Sequence, residues 1–309
     1  MDWTGPGDQT DLRPLMFSIA YRMTGRVTEA EDIVQEAFFR MERASQNGVV
    51  VESAKAYLTT ATTRLAIDHM RSARARRESY VGTWLPEPIV ADLQDSPEQM
   101  AELSDSLSMA FLVLLESLSP VERAVFLLRE VFDYSYEDIA QIVDKKEANC
   151  RQILGRARRH LDDHQDRYEA TTEQSEALLR SFLAAARHGD LDQLVDLLAA
   201  DAVLCGDGGG KATAIREPLY GRDRVAAFVL ALFERAKHMG VTAEPVLVNG
   251  GPGLITRDPQ GKILSVLCLE VDEGLIHTVR GIVNPDKLQH LGPVSTLARI
   301  PQGDGESAG

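Results

Sequence analysis

The sequence predicts a multidomain chain of two all-α domains, the second holding a helix-turn-helix, followed by an α+β domain. Three observations carry this. At 309 residues the chain is too long for one ordinary domain, and 44% hydrophobic residues suffice for packed cores. From Leu12 to Arg77 apolar residues recur at helical spacing with no alternating strand pattern, and from Leu107 to about His164 the text is helical again. Beyond Thr171–Glu173 helical text gives way to β-like runs, the order expected of an α+β domain.

Taken in order, residues 8–80 read as a first helical domain, with Gly25 and Gly48 as breaks. Residues 81–105 contain Pro86, Pro88 and Pro97 and few apolar residues, so they read as an irregular linker. Residues 106–168 form a second helical domain, broken at Ser119-Pro120, Asp133-Tyr134 and Asp144. In the third, at 173–295, helices are expected at Ser175–His188, Asp190–Ala199 and Arg222–His238. Ala202–Cys205, Pro245–Asn249, Gly253–Arg257, Ile263–Val271 and Leu275–Val283 should form an antiparallel sheet. A Gly- and acid-rich tail at 296–309 is expected to be disordered.

Composition excludes several classes. The longest uncharged stretch, Pro245–Thr256, is shorter than the roughly 18 residues a membrane span needs, and the N-terminus lacks a secretory pattern. Cys150, Cys205 and Cys268 are far apart, which excludes a disulfide scaffold and a cysteine zinc site and fits a reducing cytoplasm. No cofactor and no metal are expected. The net charge of −14 argues against a nucleic-acid partner, but the charge is segregated. Arg64, Arg71, Arg74, Arg76 and Arg77 meet one acid, Asp68, and the bases between Lys145 and His160 meet only Glu147. Between these islands lie Glu87, Asp92, Asp95, Glu98, Glu102 and Asp105 with no base. Two basic islands point to two separated phosphate contacts.

Three helices carry the chemistry. In Thr28–Met41, Thr28 and Glu31 are expected to make a capping box, and Ala30, Ile33, Val34, Ala37, Phe38 and Met41 share a buried face. Asp32, Gln35, Glu36 and Phe39 point the other way; Phe39 either packs on a neighbouring helix or belongs to a protein-docking surface. In Tyr57–Arg77, Arg64, Arg71 and Arg74 fall on one stripe able to follow a phosphate backbone, with Ile67 and Met70 beside it for unstacked bases. A solvated basic face is the other reading of that run. The third pair, capped by Ser135 and Asp138 and turning at Asp144-Lys145-Lys146, matches a helix-turn-helix, with a plain helical hairpin as its alternative. Its second helix should bury Cys150, Leu154, Ala157 and Leu161 and present Ala148, Gln152, Gly155 and Arg159, flanked by Arg151 and Arg156; Asn149 is a further candidate DNA contact. Gln152 suits an adenine edge, and the arginines suit phosphate or guanine.

These residues resemble the extracytoplasmic-function sigma factors of bacterial RNA polymerase. EAEDIVQEAFFRM is similar to the family's polymerase-binding segment, AYLTTATTRLAIDHMRSARARR to its −10 reader, and LSPVERAVFLLREVFDYSYEDIAQIV with RARRHL to its −35 reader. The resemblance implies that Asp32, Gln35, Glu36 and Phe39 dock on the clamp of the largest polymerase subunit. It implies that Arg64, Arg71, Arg74, Arg76 and Arg77 hold −10 DNA, while Lys145, Lys146 and the helix after them read −35 DNA. Ile153 stands where many members have arginine, so the common −35 sequence is not implied. WLPEP (Trp84, Leu85, Pro86, Glu87, Pro88), DGGGK (Asp207, Gly208, Gly209, Gly210, Lys211) and NPDKL (Asn284, Pro285, Asp286, Lys287, Leu288) resemble the subgroup with a fused SnoaL-like domain. That subgroup implies control in cis without a separate anti-sigma factor, and a pocket with room for an unidentified small ligand.

The linker's carboxylates read either as a plain solvated spacer or as a mimic of nucleic-acid charge in the polymerase cleft. The WLPEP clip is expected to dock near DGGGK and NPDKL, fixing the spacing of the two readers. Asp201, Asp207 and His277 are acid–base candidates by residue type only. The reading is therefore a non-enzymatic, cytoplasmic sigma factor with core polymerase and promoter DNA as partners. Its rivals are a one-component ligand-sensing regulator and a SnoaL-like cyclase or isomerase carrying a DNA-binding module.

Overall fold

The structure, a computed structural model, describes residues 6–78, 80–91, 107–162 and 172–298. The acids Asp92, Asp95, Glu98, Glu102 and Asp105 and most of the expected tail lie outside them. The chain forms two compact units: residues 1–79 with 110–166, and residues 80–109 with 167–309.

In the first unit, helices α1 (Pro6–Thr24), α2 (Val27–Gln46) and α3 (Ala54–Glu78) bury Met16, Ile19 and Met23 against Ile33, Val34, Met41 and Leu58. The expected capping box at Thr28 is corrected. Thr24 Oγ1 donates to the Ala20 carbonyl at 2.9 Å and accepts from the Arg26 amide at 3.3 Å. The chain is thus turned early; α2 starts at Val27 with Arg26 as its uncapped flank, and Thr28 lies inside the first turn. Helices α4 (Met109–Leu115) and α5 (Pro120–Phe126) follow, the latter entered through a Ser119–Glu122 capping box and continued by a π-helical turn, Leu127–Val131. Helices α6 (Tyr136–Val143) and α7 (Glu147–Asp162) are joined at Asp144, which is left-handed at φ 53°.

In the second unit, α8 (Thr172–His188), α9 (Leu191–Leu197) and α10 (Arg222–His238) cover one face of a sheet. Its strands are β1 (Val90–Ala91), β2 (Leu198–Asp207), β3 (Leu219–Tyr220), β4 (Thr242–Val248), β5 (Gly251–Arg257), β6 (Ile263–Asp272) and β7 (Leu275–Ile282). The order among the described residues is β1-β4-β5-β6-β7-β2-β3. Leu179, Phe182, Leu194, Val225 and Val229 from the helices meet Leu204, Leu254, Leu267, Leu269 and Val279 from the sheet. The expected all-antiparallel sheet is corrected at β2, which runs parallel to β7 with Cys205 opposite Arg280. A parallel neighbour needs a long crossover, and α10 with β4–β6 supplies it. Edge strand β1 comes from the predicted linker and pairs with β4, Val90 opposite Val248.

Candidate polymerase, promoter and linker sites

On α2 the 3.6-residue period sends Ala30, Ile33, Val34, Ala37 and Met41 inward. Asp32 and Gln35 are exposed, Glu36 is half-buried and pairs with Arg40 at 2.7 Å, and Phe39 is 58% exposed. Within this structure Phe39 is therefore no packing residue. The stretch just past α2 carries a second apolar projection that sequence reasoning missed, Val49 and Val50, the latter 85% exposed.

The α3 stripe divides. Arg71 is exposed beside Asp68 at 3.5 Å. Arg64 does not stand free: its Nε donates to the Ile142 carbonyl at 2.9 Å and its Nη2 to the Gln141 carbonyl at 2.8 Å. Ile67 and Met70 are buried, which corrects their expected role beside unstacked bases; their face of α3 is needed for the helix core. Helix α3 runs through Arg74, Arg76 and Arg77, but their side chains lie outside the described residues.

The α6–α7 pair is set by local chemistry. Ser135 accepts from the Asp138 amide at 3.1 Å, and acids in the first turn of α6 complement its dipole. Cys150, Leu154, Ala157 and Leu161 are buried, and burial raises the Cys150 thiol. Lys145, Lys146, Ala148, Asn149, Arg151, Gln152, Arg156 and Arg159 are exposed, and the space beside Gly155 is open. Ile153 is 8% exposed and belongs to the core. Arg151 lies over the Tyr136 ring at 4.6 Å and pairs with Glu147 at 3.0 Å, while Arg129 approaches the same ring at 5.3 Å. Arg156 leans toward Glu122 at 3.8 Å, and Arg159 donates to the Gly155 carbonyl at 3.0 Å. Tyr136 and Arg129 carried no sequence signal beyond their types, because their role depends on α6 folding back onto α7.

In the second unit the WLPEP segment is docked. Asp207, fully buried, accepts from the Leu85 amide at 2.8 Å, from Lys287 Nζ at 2.6 Å, and from the Tyr80 hydroxyl. Lys287 also donates to the Leu85 carbonyl, and its ammonium sits 4.1 Å from the Trp84 ring centroid. Asn284 Nδ2 donates to the Tyr80 hydroxyl at 2.8 Å, and its Oδ1 accepts from the Asp286 amide at 3.1 Å. Leu85, Pro86, Glu87, Pro88, Pro285 and Leu288 are buried. Lys211 pairs with Asp286 at the rim. The glycines permit close approach within this site: a Cβ on Gly209, at φ 57°, would lie 2.1 Å from Asn284 Nδ2 and 2.9 Å from the Tyr80 hydroxyl, and one on Gly208 would lie 2.2 Å from the Ala212 carbonyl oxygen of its own loop. Gly210 faces Val81 in the same way, with 3.3 Å to its Cβ. Three further groups were missed by sequence reasoning. Asn249 exchanges bonds with the Ile89 backbone at 2.8 and 3.1 Å, and His290 Nε2 donates to the Pro88 carbonyl at 2.8 Å. Tyr80 sits at the linker's start.

Two family models match the chain, "Sigma-70 region 2" over residues 10–76 and "Sigma-70, region 4" over residues 108–161. The ECF RNA polymerase sigma factor SigJ of Mycobacterium tuberculosis is 34% identical over 286 residues, covering 89% of this chain and 90% of that protein. The chain belongs to the ECF RNA polymerase sigma factors. A probable ECF sigma factor of the same species, SigI, is 31% identical over 90% of this chain and 93% of its own length. The crystal structure of M. tuberculosis SigJ superposes with a TM-score of 0.75 at 31% identity, covering 94% of this chain and all of that one. The second unit of this sigma factor has the α+β architecture that the SnoaL-like resemblance implies.

The remaining acid–base candidates do not converge. Asp201 is exposed, Asp207 is spent on the clip, and His277 is half-buried on β7. Arg280 forms a fork with Glu270 at 2.6 and 2.9 Å between Cys205 and Cys268. Burial is the largest influence on Arg280 and opposes its charge, but Glu270 together with the Cys205 and Cys268 sulfurs outweighs it and raises the guanidinium. Burial also raises Cys205, and pushes Cys268 up to about 12, so both thiols are unreactive. No group of three metal-ligating side chains occurs among the described residues.

Proposed function

We propose that this sigma factor binds core RNA polymerase through the outward face of α2 and directs promoter-specific initiation, reading −10 DNA with α3 and −35 DNA with α7. The observation that carries this is the α7 stripe of exposed Ala148 and Gln152, with open space beside half-buried Gly155 and arginines on its flanks, opposite a buried face of Cys150, Leu154, Ala157 and Leu161. Small residues along that stripe let the backbone approach base edges. Asp32, Gln35, Glu36 and Phe39 form the polymerase face, with Phe39 as its apolar anchor. Working on polymerase and promoter, the protein acts in the cytoplasm.

Regulation is assigned to the second unit. The clip of Trp84–Pro88 on Asp207, Asn284 and Lys287 ties the linker between the two DNA readers to a domain of the same chain, so control needs no separate anti-sigma protein. The second unit is not an enzyme in this reading, because Asp207 neutralises Lys287 instead of serving a substrate and the helix–sheet core is aliphatic and aromatic. Run-off transcription with purified core polymerase, with and without the protein, tests the assignment. A promoter-dependent product only with the protein supports it. Promoter binding unaffected by core polymerase, with no transcript, would favour the one-component regulator.

A further inference from the structure

Helix α7 carries four arginines, each with an intramolecular partner, and two exposed carboxamides without one. Arg151 pairs with Glu147 at 3.0 Å and lies over the face of Tyr136 on α6. Arg156 leans to Glu122 on α5 at 3.8 Å, and Arg158 pairs with Glu130 of the π-helical turn at 2.8 Å. Arg159 is folded back onto the Gly155 carbonyl of its own helix. By contrast, the side chains of Asn149 and Gln152 have no hydrogen-bond partner among the described residues.

The partners decide where the arginines point. Exposed ion pairs are weak, so they bias direction more than they hold. Three of the four draw the guanidinium off the outward stripe, toward α5, α6 and the turn between them. A guanidinium has five N–H donors, so each can meet a phosphate while keeping its partner. A bidentate guanine contact instead needs the whole fork aimed along the stripe.

Asn149 and Gln152 are the third and sixth residues of α7, in the N-terminal part that a recognition helix sends to base edges. Three residues advance about 4.5 Å along a helix, against about 3.4 Å per base pair, so the two side chains reach neighbouring pairs. A carboxamide has one accepting and one donating side. Adenine offers the matching N6 donor and N7 acceptor, whereas guanine offers two acceptors, N7 and O6. Exposed Ala148, one turn before Gln152, suits a thymine methyl. We propose that Asn149 and Gln152 form a carboxamide pair that sets −35 specificity by taking the adenines of two neighbouring A·T pairs, while the α7 arginines are confined to phosphates. This inference deepens the −35 role proposed for α7 and rests on it.

Its test is selection of promoter templates, randomised over both elements, by holoenzyme assembled from core polymerase and the full chain. Asn149, Gln152 and Arg156 are all exposed, so their variants leave the fold intact. Wild type should enrich adenine at two neighbouring −35 positions, each by roughly 5- to 150-fold, the worth of one bidentate base contact. Gln152→Arg should move one of those positions from adenine to guanine and leave its neighbour unchanged. Asn149→Ala should erase the preference at the neighbour alone. Arg156→Ala should weaken binding to all templates by a similar factor, with no change of preferred base, and lower the slope of log affinity against log salt by about 0.9. Unchanged preferences in Gln152→Arg and Asn149→Ala, or a lost guanine preference in Arg156→Ala, overturn the carboxamide pair while leaving α7 as the −35 reader. A wild-type holoenzyme that enriches no −35 sequence overturns both.

Discussion

Lys287→Met isolates the electrostatics of the linker clip. Lys287 is 2% exposed, and methionine keeps its unbranched stem while removing the ammonium, which serves Asp207, the Leu85 carbonyl and the Trp84 ring together. Asp207 would remain fully buried with the Leu85 amide and the Tyr80 hydroxyl as its donors. Two neutral donors do not replace a cation, and removing one partner of a buried ion pair costs about 3–5 kcal/mol. That is about two to nearly four decades in the equilibrium between docked and released linker. Adding Asp207→Asn removes the orphaned charge while keeping an acceptor for the Leu85 amide. The double variant should therefore recover most of the loss and retain a deficit of roughly 1 kcal/mol. Exchange of the Leu85 amide in the full chain reads the equilibrium directly, because that proton is protected only while it is bonded to Asp207. If Lys287→Met left Leu85 exchange within two-fold of wild type, the charge-centred account of the clip would be wrong.

Three other outcomes are expected. Phe39→Ser should weaken binding to core polymerase at least ten-fold in a titration, with urea unfolding unchanged, because a ring 58% exposed contributes little to the fold; a matching loss of stability would place the ring in the core instead. Tyr136→Leu should weaken −35 DNA binding by the holoenzyme roughly two- to five-fold and flatten its salt dependence, because the ring face that steadies Arg151 and Arg129 is gone. Tyr136→Phe keeps the ring and should match wild type, and equal behaviour of the two variants would remove the ring from the account. At pH 8, Cys268 should be alkylated more than 1000-fold more slowly in native than in unfolded protein. Burial pushes its pKa to about 12 against about 8.5 for a free thiol, so its thiolate appears only far above neutral pH. Comparable labelling rates in the two states would show that the site is open.

Legibility followed the range of the interactions. Helix α7 was readable because its buried and exposed faces are both set within sixteen residues, and α10 because apolar spacing and a glycine entry bound it. The three motif segments in the second unit could be named from resemblance. Their chemistry could not, because Lys287 and Leu85 are 202 residues apart and nothing local marks that lysine as buried. Parallel pairing of β2 was illegible for the same reason: strand direction is decided by the neighbour, not by the strand's own residues. The start of α2 failed more locally, because Thr24 captured the turn before Thr28 could serve as a cap. Arg64 marks a further limit. A basic stripe identifies a surface able to meet negative charge, and helix-end carbonyls satisfy that description as well as phosphates do.

Edge strand β1 and the clip give synthesis a direction. Leu85 leaves the ribosome 202 residues ahead of the lysine that will hold it, an interval of about 10–40 s at roughly 5–20 residues per second. Helices α3 and α7 are both complete well before that lysine is made, while the linker between them is still untethered and, until residue 248, β4 has yet to be finished to receive its edge strand. Every newly made molecule therefore passes through a period in which its first unit exists without the clip. The length of that period is set by how slowly residues 163–287 are translated.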